Sequence, residues 1–303
     1  MIPSGEQIVL EHETQRVVVV EVGGGLRRYA VGDWDVLDGY AEDARCTSAR
    51  GQPLIPWPNR LRDGAYRFDG TEHQLALSEP EKHNAIHGLV RWANWTDGDQ
   101  AADRVTMRHV LHPQSGWPFA LEMAIEYVLG SEGLSVRTTA TNAGDAPCPA
   151  GAGMHPYLSV GTDTIDAATL RAPGRRHLPT DAQSIPTGEA PLVDGTPYDF
   201  RTERRIADTQ LDTGYGDLDR DPDGLARVEL AAEGRCASLW MDAGYRYLML
   251  FTGDSLSQPD RRRRGLGVEP MTCAPNALAS GDGLVVLAPG ETLVATWGLQ
   301  PTL

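Results

Sequence analysis

Hydrophobic and polar positions alternate with a period of two along most of this chain, and turn residues separate the runs. Successive side chains of a strand point to opposite faces, so the pattern predicts half-buried β-strands. Residues 105–111, VTMRHVL, suit one strand. In 65–77, AYRFDGTEHQLAL, Asp69-Gly70 separates two strand-like runs and predicts a hairpin. Strand, turn and strand are expected over 120–141, with the turn at the GSEG of 130–133. Residues 237–253 predict a further pair of strands around Asp242-Ala243-Gly244, and 283–301 a hairpin around Pro289-Gly290. With 33 glycines and 21 prolines, few windows could hold a long amphipathic helix. No fixed-period repeat, low-complexity linker or shift in composition divides the chain. The expectation is all-β: one large antiparallel sandwich domain spanning 1–303.

A chain of 303 residues and 32.9 kDa is long enough to bury a sizeable core. Its 41% hydrophobic and 23% charged residues are those of a soluble globular protein. A formal charge of −15 argues against nucleic acid and anionic membranes as general partners. Cys46, Cys148, Cys236 and Cys273 form no CxxC pair, which disfavours a zinc ribbon or thioredoxin-type site and predicts free thiols in a reducing compartment. The first residues, MIPSGEQIVLEHETQR, are charged where a signal peptide is apolar, and no run has the length of a membrane span. A cytoplasmic location is expected.

Three charged or glycine-rich stretches carry ordinary readings. Asp219, Asp221, Asp223 and Gly224 fall at positions 1, 3, 5 and 6 of a calcium loop, but position 12 is Leu230, with Glu229 one residue early. A solvated acidic turn is expected there. Gly23-Gly24-Gly25 lacks GxGxxG spacing and predicts a tight turn or bulge. Arg261–Arg264 is the only basic cluster and reads as a solvated loop, with recognition of an anionic group as the alternative.

The chemistry concentrates in lone polar residues among small or apolar neighbours: Asn59 and Arg60 in IPWPNRL, His87 in NAIHGLV, His155 in GAGMHPYLSV, Asp212 in QLDTGY and Glu269 in GVEPMT. A buried histidine must satisfy two ring nitrogens, so His155 is either tied to a backbone carbonyl or chemically employed. Five such stretches in an all-β chain raise convergence on one pocket, since turns are where a β scaffold displays its chemistry. No compact metal motif such as HExxH is present, and no metal is expected. Trp57, Trp92, Trp95 and Trp117 stand near the first two stretches, and aromatic faces suit sugar C–H faces.

In order, PNR, IHG, HPY, LDxxY, FTGD, VEPMT and a PGE turn resemble the aldose 1-epimerase (galactose mutarotase-like) family from about residue 20 to the C-terminus. The resemblance implies a β-supersandwich with an open cleft, no cofactor and a monosaccharide substrate. It implies His155 as the acid that protonates the ring oxygen and Glu269 as the base for the anomeric hydroxyl. His87 would hold the ring-oxygen region, while Arg60 and Asp212 would bind hydroxyls; Asp217 is a weaker candidate than Asp212. Asn59 joins the substrate-binding set from the same PNR stretch. MHPYLS departs from the family's NHxYFN, and Met249 stands near a place where a polar sugar contact is common. This wording resembles the branch that includes sulfoquinovose mutarotases. A mutarotase for an anionic sugar (sulfoquinovose or a hexose 6-phosphate) therefore stays open, with Arg261–Arg264, or Arg60 and Arg62, meeting the anion. A non-catalytic carbohydrate-binding protein is a further alternative; an acid matched with a base speaks against it. A metal-dependent β-sandwich enzyme is the weakest reading.

Overall fold

Alternation becomes burial in the strand Leu121–Gly130, where Leu121, Met123, Ile125, Tyr127 and Leu129 are buried and the intervening residues are not. The computed structural model describes residues 1–303. That strand lies in a nine-stranded antiparallel sheet. Its order is Arg204–Arg205, Thr169–Arg171, Ala226–Ala232, Arg235–Met241, Thr292–Thr302, Gly133–Asn142, Leu121–Gly130, Arg104–Leu111, Thr96–Ala101. A five-stranded antiparallel sheet runs Tyr157–Leu158, Leu266–Met271, Tyr247–Phe251, Asp212–Leu218, Gly174–Leu178. A four-stranded sheet forms from the first four strands, Gln7–His12 to Trp34–Asp35. A cluster of 61 buried residues, including Trp34, Trp95, Trp117 and Trp297, forms the core between these layers. The all-β expectation holds: the single α-helix is the one-turn Ala277–Ser280.

The hairpins expected at Asp69-Gly70 and at 130–133 are present as antiparallel pairs. Two others are not hairpins. Arg235–Met241 belongs to the nine-stranded sheet and Tyr247–Phe251 to the five-stranded one, so the turn at Asp242 carries the chain between sheets. Asp242 enforces the departure: its Oδ1 accepts the amide of Gly244 (2.9 Å) and its Oδ2 that of Thr296 (2.9 Å). Likewise Val285–Leu287 pairs with Cys148–Ala150, whereas Thr292–Thr302 pairs with Gly133–Asn142 and Arg235–Met241. The turn signals are genuine, but each strand finds more apolar surface to cover elsewhere than against its neighbour in sequence.

Gly23 and Gly24 form the expected turn, with φ of 86° and 63°. The acidic stretch is a turn closed by Arg227, which pairs with Asp221 and Asp223. Gly88 (φ 68°) is more constrained: a Cβ there would lie 2.0 Å from the carbonyl oxygen of Ile55. The Ile55 carbonyl also accepts the Leu89 amide (2.9 Å), so this close approach seats the segment that carries His87. Gly88→Ala is expected to destabilise the fold by about 2–4 kcal/mol. Urea unfolding checks this, and an unchanged midpoint would show that the strand can relax away.

Candidate active site

The site begins with a short ladder. Arg60–Arg62 pairs with Asn84–Ile86, and beyond the last pair the His87 amide donates to the Asn59 carbonyl (2.9 Å). Both residues then leave the strand with positive φ, 58° at Asn59 and 62° at His87. The Asn59 amide donates to His87 Nδ1 at 3.2 Å. An accepting Nδ1 leaves the proton of the neutral ring on Nε2, which makes His87 a hydrogen-bond donor at that atom. Arg60 grips Glu79 through two bonds (Nε–Oε2 2.8 Å, Nη2–Oε1 3.0 Å), and its Nη1 lies 3.9 Å from Asp212.

The opposite wall is one face of the five-stranded sheet. Glu269 stands in register with Met249, and the next row on that face is Gly267, Phe251 and Asp212. His155 arrives from the segment between Cys148–Ala150 and Tyr157–Leu158. Its backbone is held by its amide donating to Gln52 O (3.1 Å) and its carbonyl accepting Gly51 N (2.8 Å). His155 Nε2 ends 3.3 Å from Glu269 Oε1, with both side chains buried. His155 Nδ1 and Glu269 Oε2 make no hydrogen bond within the protein. The imidazole stacks on Tyr157 (centroids 4.9 Å, planes 13° apart) and meets His87 edge-on at 5.3 Å.

Burial dominates the electrostatics. It holds both His155 and His87 well below the ordinary histidine range, with Arg91 adding to the effect at each. Burial, reinforced by Asp212, pushes the Glu269 carboxyl above the ordinary carboxylate range. Both shifts favour the uncharged pair, a neutral histidine beside a protonated carboxyl. Neutral histidine with carboxylic acid and imidazolium with carboxylate are two placements of that same proton. Such a pair can give a proton at one atom and take one at another without changing its total charge.

These groups line a cavity of about 430 Å³, within the range of small-molecule sites. It brings together all six residues singled out in the sequence: Asn59, Arg60, His87, His155, Asp212 and Glu269. Asp217 lies elsewhere, near Arg175 and Arg176. Met249 is buried and is not part of the lining. Neither Arg62 nor the Arg261–Arg264 cluster reaches the cavity. Arg62 is bound to Asp181 and Gln183, Arg261 to Asp38, and Arg263 to Asp166 and Asp254. Trp57, Trp95 and Trp117 are core, and the exposed Trp92 is covered by Arg45. The anion-binding alternative shifts to Arg91, which the sequence reading missed. Arg91 lines the cavity, and its one side-chain hydrogen bond is to Ile86 O (3.3 Å). Its place four residues after His87 in IHGLVRW was the available signal. Glu79, Tyr157 and Phe251 also line the cavity; nothing local marked Glu79. One donor atom each from His87, His155 and Glu269 lies within 4.8 Å of the others, though the Arg91 charge in the same cavity opposes a cation.

The aldose 1-epimerase family model matches residues 6–300. The uncharacterized protein YihR of Escherichia coli (strain K12) is 30% identical over 95% of this chain and 91% of its own. Human galactose mutarotase is 26% identical, over 79% of this chain and 76% of its own. Among solved structures, the GalM/aldose epimerase homologue from C. elegans superposes with a TM-score of 0.87, at 18% identity over 98% of each chain. The fold is thus that of the galactose mutarotase-like proteins. The chain belongs to the aldose 1-epimerase family, a family of isomerases.

A carboxyl whose pKa is raised by folding contributes stability below its unfolded value, near pH 4.3, and loses it as pH rises. At pH 7 Glu269 is therefore a liability to the fold. Glu269→Gln, which keeps the shape and removes the titration, is expected to stabilise the protein by about 1–2 kcal/mol at pH 7. The gain should shrink towards pH 4. Urea midpoints at the two pH values check this; a less stable variant at pH 7 would contradict the assigned shift.

Proposed function

We infer that the chain catalyses anomer interconversion of a hexose bound in the cavity of His155 and Glu269. The observation that carries the reading is the acid–base pair itself: two buried titratable groups 3.3 Å apart, each with a further polar atom unbound. Relatives named galactose mutarotase and maltose epimerase support a sugar substrate.

The reaction starts from the less populated placement, with Glu269 as the carboxylate and His155 as the imidazolium. Glu269 removes the proton of the anomeric hydroxyl while the bond from C1 to the ring oxygen breaks. The ring oxygen takes the His155 proton, leaving an open-chain aldehyde, a protonated Glu269 and a neutral His155. That is the placement burial favours, so the low-polarity site assists ring opening. Rotation about C1–C2 presents the other aldehyde face, and both proton transfers reverse. The protein begins and ends with the same proton count, and the step needs no redox partner. His87 donates from Nε2 toward the ring-oxygen region. Arg60, fixed by Glu79, and Asp212 hold ring hydroxyls beside Asn59, while Tyr157 and Phe251 offer faces to C–H bonds.

A second reading keeps this chemistry and gives the sugar an anionic substituent, such as the sulfonate of sulfoquinovose or the phosphate of a hexose 6-phosphate. Arg91 favours it: a cavity-lining guanidinium without a carboxylate partner, in a chain of net charge −15, suits a planar or tetrahedral anion.

NMR exchange between anomers at equilibrium tests the first reading with glucose and galactose. His155→Ala and Glu269→Gln are expected to slow exchange by about 10²–10⁴-fold. Wild-type rates in either variant would refute the acid and base roles of His155 and Glu269, and a sugar that binds without exchanging would make the cavity a receptor. For the second reading, Arg91→Gln should raise KM for a sulfonated or phosphorylated hexose about tenfold or more while sparing glucose. Equal effects on charged and neutral sugars would remove it.

A further inference from the structure

We propose that Arg50 is a positioning residue for His155: its buried guanidinium, clamped by Asp38, acts on the imidazole through Tyr157, whose ring both groups contact. The inference rests on the reading of His155 as the proton donor to the sugar.

Arg50 does not line the cavity, and its side chain is only 2% exposed. Its Cζ lies 4.7 Å from the centroid of the Tyr157 ring, which also stacks on the His155 imidazole at 4.9 Å, nearly parallel. The Tyr157 ring thus contacts both the buried guanidinium and the imidazole, with little water near any of the three. Backbone carbonyls hold these groups in place. Arg50 Nη1 donates to the Thr47 carbonyl (3.2 Å), and the Tyr157 hydroxyl donates to the Ser48 carbonyl (3.1 Å).

The pairing of Arg50 is incomplete for so buried a charge. Its only carboxylate is Asp38, at 3.4 Å, and its Nη2 has no partner. Asp38 is shared: its other oxygen accepts from Arg261 at 2.7 Å, and Arg261 also donates to Gly39 O (2.6 Å). One carboxylate between two guanidiniums leaves net positive charge behind Tyr157. Burying an under-paired cation costs stability and is poorly explained by packing alone. Beside an acid it has a use, because nearby positive charge disfavours imidazolium and eases its loss of a proton to the sugar. The first arginine of the Arg261–Arg264 cluster therefore serves as the outer clamp of this relay.

The titrating pair is also faced by His87, by the guanidiniums of Arg60 and Arg91, and by Asp212 beyond Glu269. All of these are left unchanged in the test. The pair works with one proton bound; a second proton sets the acid limb of the pH profile and loss of the first sets the alkaline limb. Nearby positive charge lowers both. Arg50→Met, which removes the cation and leaves Asp38 paired with Arg261, should move both limbs up by about half a pH unit. It should change kcat by no more than about threefold, the factor half a pH unit corresponds to, and leave KM within about twofold. Asp38→Asn alone, which leaves Arg50 less neutralised, should move both limbs down. Arg50→Lys, which retains the charge, should restore the limbs to their wild-type positions.

The measurement is the pH profile of anomer exchange for the four proteins, with folding confirmed by circular dichroism. Opposite displacements in Arg50→Met and in Asp38→Asn support the proposal. Limbs that stay in place in folded variants, whether or not kcat falls, overturn it and leave Arg50 a packing residue. Full exchange in His155→Ala is a separate failure, that of the underlying proton-donor reading.

Discussion

A carboxyl and an imidazole buried side by side are the constraint on which the rest of this structure depends. Glu269 and His155 stand 3.3 Å apart at 2% and 5% exposure. Neither charge is well solvated there, so the pair favours its neutral form. Such a pair works only if its atoms are held in place. Backbone bonds from Gly51 and to Gln52 hold His155, and the Met154 amide donates to the Pro270 carbonyl (3.2 Å), tying the histidine segment to the strand of Glu269.

The antiparallel sandwich meets that demand through its pleat. Period-two geometry puts Glu269, Met249 and Gly214 in one row and Gly267, Phe251 and Asp212 in the next, all on one face. Gly267 keeps the second row open: a Cβ there would sit 3.2 Å from that of Phe251. The facing wall comes from a ladder that ends at Asn59 and His87, where two positive-φ residues turn the side chains inward. Residues separated by tens of positions meet because strands of different sheets cross there.

Charge is arranged against the average. The chain carries −15 overall, yet arginines 50, 60 and 91 surround the proton pair. Arg60 is fully engaged by Glu79, Arg50 is half-engaged behind Tyr157, and Arg91 faces the cavity without a carboxylate. Surface carboxylates are cheap in water, while each buried guanidinium must be compensated, so these few positions report function more directly than net charge does.

The sequence by itself determined the strands, most turns and the six polar residues that meet in the cavity, because alternation and turn chemistry are local and a lone polar residue in an apolar stretch has few places to go. The acidic turn at Asp219–Asp223 was legible for the same reason: a missing ligand can be read from spacing alone. Only the tertiary structure decided that the turns at Asp242 and Pro289 join strands with different partners. It also placed Arg261 behind the site rather than in it, and set Arg91, Glu79 and Tyr157 around the cavity. The physical reason is common to all of these. A local pattern records which side of a strand is buried, but which buried face it meets, and which charge finds which partner, is settled by contacts between segments far apart in the chain.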